Sequence, residues 1–219
     1  MRSSKRWLRP VIVATVAGVG ILLSAVLVPR QGHTAQIRAT AWVGEEQEAT
    51  QIVRGATCGV ERWPVKTLSD PRARRVDFAV RPATVRYLGS LRANPGGRDS
   101  RSPLESRVFG VQARLIGVKR EADSDYHLIL VEGGATMIAE MPFAGCTSGA
   151  RDRYAMTTAR AELEHAVGGP VGESWIHPSL RVHVVGVLFF DFSHGQSGHA
   201  RNYAELHPVT GFHLVPASR

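Results

Sequence analysis

Between residues 107 and 215 the hydrophobic period changes twice, and the order of those changes restricts the possible fold more than any other feature. ESRVFGVQARLIGVKREA, YHLILV and ATMIAEMP are apolar runs rich in β-branched residues, divided by the turn segments EADSD and EGG. They read as three consecutive strands, the third ended by Pro142. TTARAELEHAVGG then sets Ala159, Leu163, Ala166 and Val167 at helical spacing and stops on glycine. LRVHVVGVLFFDF and AELHPVTGFHLV return to strand, joined by the polar turn SHGQSGHARNY. Gly110 and Gly117 interrupt the first strand, where a glycine marks a bulge or a sharp bend.

Three strands, one helix and two strands, with the first strand broken by glycine, resemble the OB-fold, a five-stranded Greek-key barrel. The expected fold class is mainly β: an OB-like barrel over 104–219 with one helix between strands three and four. A different small barrel or an open α+β sheet are the alternatives. Residues 52–103 read as an N-terminal extension that packs on the barrel. Within it, Ser69 or Asp70 before Pro71 predicts a short helix reaching about Val76. Residues 85–91 suit either a strand or a second short helix, and 92–103 are a loop by composition.

The net charge of +8 would suit a nucleic-acid partner, but its location argues otherwise. Five of the 27 basic residues, Arg2, Lys5, Arg6, Arg9 and Arg30, lie in the first thirty positions, which hold no acid. The remainder carries 22 basic against 19 acidic residues, or +3, too little for a nucleic-acid footprint. Residues 1–10 form a basic segment, and 11–28 are uncharged and apolar. Eighteen helical residues rise about 27 Å, close to the thickness of a hydrocarbon core. The expectation is an uncleaved transmembrane signal anchor, N-terminus in the cytoplasm, followed by a linker over 29–51 and an extracytoplasmic domain. Cleavage and secretion is the alternative, although the candidate cleavage sites are poor. An exported chain with two cysteines, Cys58 and Cys146, is expected to join them in a disulfide.

Strand periodicity also groups polar residues. Neighbours two apart share a face, so Glu205 and His207 point together, as do Asp125 and His127 if their strand begins early enough. Asp191 and His194 fall at the end of the fourth strand and in its turn. Asp191, His194, Glu205 and His207 are therefore candidates for one rim, where carboxylates and imidazoles could hold a divalent metal or act as acid and base. The competing reading is turn chemistry, with Glu205 paired to an arginine such as Arg62 or Arg114 and His207 bonded to a carbonyl. ERWPVK offers Glu61, Arg62 and Lys66 as ligand-binding candidates, again against a packed ion pair, and Asp125 and His127 are ligand-binding candidates as well. His165 is expected to face solvent. No phosphate loop, dinucleotide fingerprint, nucleophile elbow or HExxH motif occurs, so no cofactor is expected beyond that metal.

CGVERWPVKTLSD, SDYHLIL, TMIAEMPFAGC, VVGVLFFDFSHGQSG and RNYAELHPV, read together, resemble a family of uncharacterised bacterial exported and membrane-anchored proteins with ERWxVKT, DYHLxL and ELHPV motifs. The likeness covers most of residues 58–212 and implies no activity. Tyr203-Ala204-Glu205 departs from the Gly-Ile-Glu more usual in that pattern. The anchor, the five-strand pattern and the lack of a compact catalytic motif give the expectation of a binding or interaction module of the cell envelope, partnered by an envelope protein or a glycan. The alternative is a metal-assisted hydrolase, phosphodiesterase or nuclease-like, working through the four-residue rim.

Overall fold

The computed structural model describes residues 50–216. The basic segment, the apolar run at 11–28 and the linker up to residue 49 lie outside the described residues. None of the helices among the described residues is long and apolar enough to cross a membrane.

Two strands, β1 (Thr50–Val53) and β2 (Ala56–Gly59), form an antiparallel hairpin. The single helical turn α1 (Trp63–Lys66) follows, with Pro64 at its start, where the missing N–H costs nothing. The helix expected after Pro71 shrinks to a 3-10 turn at Ala73–Arg75, entered through an Asp70 side chain that accepts from the Arg72 N–H at 2.9 Å. An unexpected strand, β3 (Asp77–Ala83), comes next, and α2 (Val85–Leu88) settles the ambiguity at residue 85 in favour of helix. Thr84 caps α2 by accepting from the Tyr87 N–H at 3.0 Å.

The remaining strands are β4 (Arg107–Arg120), β5 (Tyr126–Glu132), β6 (Ala135–Met141), β7 (Leu180–Phe190) and β8 (Ala204–Leu214). Helix α3 (Arg153–Val167) separates β6 from β7, beginning four residues before the TTAR segment. The sheet order β4-β5-β6-β8-β7 closes through β4–β7, and β6 runs parallel to β8. This is a closed, mixed, five-stranded OB-like barrel with one helix between its third and fourth strands. β3 adds to β4 in parallel outside the barrel.

β4 can serve two partners because it bends. Residues 108–115 pair with β7, residues 114–120 pair with β5, and the register shifts between Leu115 and Gly117. A Cβ at Gly117 would lie 3.2 Å from the Trp175 ring, so the bulge also admits a close neighbour. Inside the barrel sit Leu115, Leu128, Leu130, Met137, Met141 and Leu188, closed by Leu163 of α3. A second core lies outside, where Leu68, Ala73 and Val76 of the extension cover Val108, Val187 and Met156. Burial on both faces explains why β7 is a nearly unbroken apolar run. The Cys58–Cys146 disulfide ties the hairpin to the segment after β6.

Candidate functional site

Alternation assigns the outer barrel face. Leu128, Ala139, Met141, Ala204 and Leu206 point into the core, so His127 on β5, Glu140 on β6, and Glu205 and His207 on β8 point outward. Register then aligns them across the sheet: His127 is opposite Glu140, and Glu205 is opposite both Ile138 and Phe189. Asp125, just before β5, and Lys66, from α1, complete the group. An outward face is normally wet, but the extension and the loop after β7 cover this one. Lys66, Asp125, His127, Glu140, Glu205 and His207 are all buried, and Asp125, Glu205 and His207 have no exposed surface.

His207 is the hub. Its Nδ1 lies 2.9 Å from Glu140 Oε2 and 4.0 Å from Glu205 Oε2, and its Nε2 lies 3.7 Å from Asp125 Oδ2. These are ion-pair separations without hydrogen-bond alignment: both ring nitrogens, Asp125 Oδ2 and both Glu205 oxygens lack a hydrogen-bond partner. Asp125 Oδ1, by contrast, accepts from the Phe143 N–H at 2.9 Å. His127 Nδ1 lies 3.2 Å from Glu121 and 3.4 Å from Glu140, its Nε2 meets the Ser197 carbonyl at 3.0 Å, and Trp175 packs against its ring edge-on.

The electrostatics follow from burial and neighbours. Burial pulls His127 down, but Glu121 and Glu140 outweigh it and raise the imidazole to about 10. Burial likewise opposes protonation of His207, which Glu140 and Asp125 raise to about 9. Glu140 is held well below the carboxylate range: burial pushes it up, and His207 and His127 overcome that. Glu205 is pushed well up by burial and then by the charges of Asp191 and Glu140, and Asp125 is raised chiefly by burial.

The expected four-residue rim divides in two. Glu205 and His207 belong to the sealed cluster. Asp191 and His194 form a turn network, with His194 Nε2 3.2 Å from Asp191 Oδ2 and Gln196 Nε2 donating to the same oxygen at 3.2 Å. Lys66 Nζ, 3.8 Å from Asp191 Oδ2, stands between the halves. Among the described residues, the acids and imidazoles that converge within 4.8 Å are Asp125, Glu140 and His207. Of the other candidates, Arg62 is committed to structure. It makes a two-point pair with Glu105 at 2.7 and 3.0 Å and donates to the carbonyls of Phe190, Ser100 and Gly97. Neither Arg62 nor Arg114 pairs with Glu205; Arg114 donates to Ser179 on the surface. Glu61 is exposed, and so is His165, as expected.

Sequence reasoning passed over Glu140 and Glu105. The signal for Glu140 was available: one acid at an outward position of a strand whose other members, Met137 to Met141, are apolar. Glu105 had a local signal, the Ser102-Pro-Leu-Glu105 capping-box spacing, whose reciprocal bonds form (Ser102 N–H to Glu105 Oε2 at 2.9 Å, Glu105 N–H to Ser102 Oγ at 3.3 Å); its bonds to Arg62 and the Phe190 N–H, distant in the chain, had none.

An open groove of about 550 Å³ adjoins the cluster, lined by Glu61, Arg62, Arg98, Phe190, Asp191 and Phe192 among others. Asp191 is thus shared: its carboxylate faces Lys66 inside, and the residue borders the groove outside.

No family model matches the chain, and no curated protein matches it. Among solved structures it is similar to a putative aspartyl-tRNA synthetase from Leishmania major Friedlin, at 14% identity and a TM-score of 0.38, over 65% of this chain. The chain spans about a fifth of that protein's length, 22%, and a likeness this distant carries no argument about function.

Proposed function

We propose that this chain is a membrane-anchored, extracytoplasmic binding module of the cell envelope, which takes a peptide or glycan ligand in the groove beside Phe192. The observation that carries the reading is a contrast of access. The groove is open, with Phe192 45% exposed and Glu61 and Arg98 at its edges, whereas the acids and imidazoles behind it are sealed. An aromatic surface flanked by charged groups of both signs suits a ligand that stacks and hydrogen-bonds. A barrel of this type also uses the loop between its last two strands for binding, here residues 191–203, although fold analogy by itself is weak support. The export reading is supported by the basic-then-apolar N-terminus and by the disulfide, which needs an oxidising compartment. It also agrees with the resemblance to exported bacterial proteins.

The test uses the full chain in detergent, screened against a glycan array and an envelope peptide library, beside Phe192→Ala and Arg98→Glu. Ligands that the parent binds and both variants lose at least tenfold are expected. Ligands held equally by the parent and both variants would refute the groove. Cleavage of a chromogenic phosphodiester, abolished by Asp191→Asn, would replace the binding module with the hydrolase.

A further inference from the structure

We infer that the sealed cluster is a divalent-cation centre in which Asp125, Glu140 and His207 are the ligands and Glu205 is the adjoining carboxylate. This inference stands apart from the groove and its ligand.

The first ground is convergence. Asp125, Glu140 and His207 each turn one ligand atom toward a common point, with all three atoms within 4.8 Å of one another. A tetrahedral ion with bonds of about 2.1 Å spaces its ligand atoms by roughly 3.4 Å. That spacing falls between the 2.9 Å of the closest pair, His207 Nδ1 to Glu140 Oε2, and the outer limit.

The second ground is independent of the first. Five fully buried heteroatoms around that point lack an aligned hydrogen bond: Asp125 Oδ2, both oxygens of Glu205 and both nitrogens of His207, of which Nδ1 alone has a close ionic contact, 2.9 Å from Glu140 Oε2. Buried polar groups are ordinarily paired, so a concentration of orphans at one place indicates a missing partner. The orphaned atoms are carboxylate oxygens and imidazole nitrogens, which are the donors that bind a dication. A water could serve one or two of them; a cation draws on oxygens and nitrogen together.

The third ground is the support behind each ligand. Asp125 Oδ1 accepts from the Phe143 N–H, which leaves Oδ2 directed at the centre. Glu140 has Oε1 held near His127 Nδ1 at 3.4 Å, and His127 is fixed in turn by the Ser197 carbonyl. Ligands with such outer partners keep their orientation when the ion is absent. A nitrogen ligand among carboxylates favours a first-row transition dication, Zn²⁺ or Mn²⁺, over Ca²⁺ or Mg²⁺. Because the ligands come from three places, the start of β5, β6 and β8, the ion would brace the sheet where β6 and β8 share a ladder of only two residue pairs.

The experiment is a titration of the full chain in detergent, stripped with a chelator, with Zn²⁺, Mn²⁺, Ca²⁺ and Mg²⁺ as probes. Calorimetry and thermal melting are the readouts, with elemental analysis of the protein as first purified. One equivalent of Zn²⁺ or Mn²⁺ that raises the melting midpoint is expected. Glu140→Gln and Asp125→Asn, near-isosteric changes, should weaken it at least tenfold. His213→Ala, at the surface pair with Glu162, should keep it within threefold. If the parent shows no shift with any ion and no stoichiometric metal, the inference is overturned, whether or not the variants fold. Loss of the shift in His213→Ala, with Glu140→Gln unaffected, would overturn it equally by moving the ion to the surface.

Discussion

Arg62→Met removes the guanidinium from a pocket built to hold it and leaves the buried Glu105 carboxylate without its ion-pair partner, the nearby Arg101 being bonded to Asp70. The magnitude follows from the partners. Arg62 makes two charge-assisted bonds to Glu105 and three more to carbonyls, and Glu105 has no exposed surface. Removing one member of such a pair costs about 3–5 kcal/mol, because the other charge stays desolvated. For a domain of this size that is a fall of roughly 6–20 °C in the melting midpoint. The residual bonds from Gly96, Ser102 and Phe190 favour the lower half of the range. Chemical denaturation of Arg62→Met, Glu105→Gln and the double variant should show the double change costing less than the sum, by about 1.5–3 kcal/mol. A single-variant loss under about 1 kcal/mol, with additive behaviour, would refute a structural role for the pair and return Arg62 to the groove as a free binding group.

The same pair sets an acid limit. Burial pushes Glu105 up, but the Arg62 and backbone donors outweigh it and hold the carboxyl below its ordinary 4.5, so its contribution to stability is present above the unfolded value and lost as pH falls through the folded one. Urea midpoints of the parent should therefore drop below about pH 4.5 more steeply than those of Glu105→Gln, and parallel profiles would contradict this. Cys58→Ser should lower the oxidised protein's stability by roughly 4–5 kcal/mol on the loop-entropy account, given the 88-residue separation, and reduction should abolish the difference between parent and variant. Gly198→Ala should cost about 1–3 kcal/mol in thermal melts, since the position has φ +82° and a Cβ there would sit 2.5 Å from Ile129 Cγ2; an unchanged midpoint would show that the loop can shift.

The barrel was legible because its strands keep period two and its helix keeps 3.6, and because Gly117 announces the bend that lets β4 serve two neighbours. β3 was not legible. Its residues are mostly exposed and it contains Pro82, so neither alternation nor propensity distinguishes it from loop; pairing with β4 makes it a strand. At the site, Glu205 and His207 were readable as a two-apart pair on one face, and Asp125 with His127 likewise. Their convergence with Glu140 was not, because it depends on the β6–β8 contact between residues far apart in sequence. Nor could the sequence reveal that an outward-facing row is sealed, since that depends on where the extension lies.

The Arg62 bond to the Phe190 carbonyl spans 128 residues, and the β6–β8 ladder joins the third barrel strand to the last. These contacts bear on the order in which the chain assembles during synthesis. Lys66, Asp125 and Glu140 emerge before the strand carrying Glu205 and His207 exists as their partner. The extension cannot find its seat until β7 arrives, and the polar cluster cannot close until β8 does. Such non-local closure belongs to the slow end of single-domain folding, on the order of milliseconds to seconds. In the interval, the early acids and Lys66 stay hydrated, and the cost of burying their charges arises only when the last strand docks.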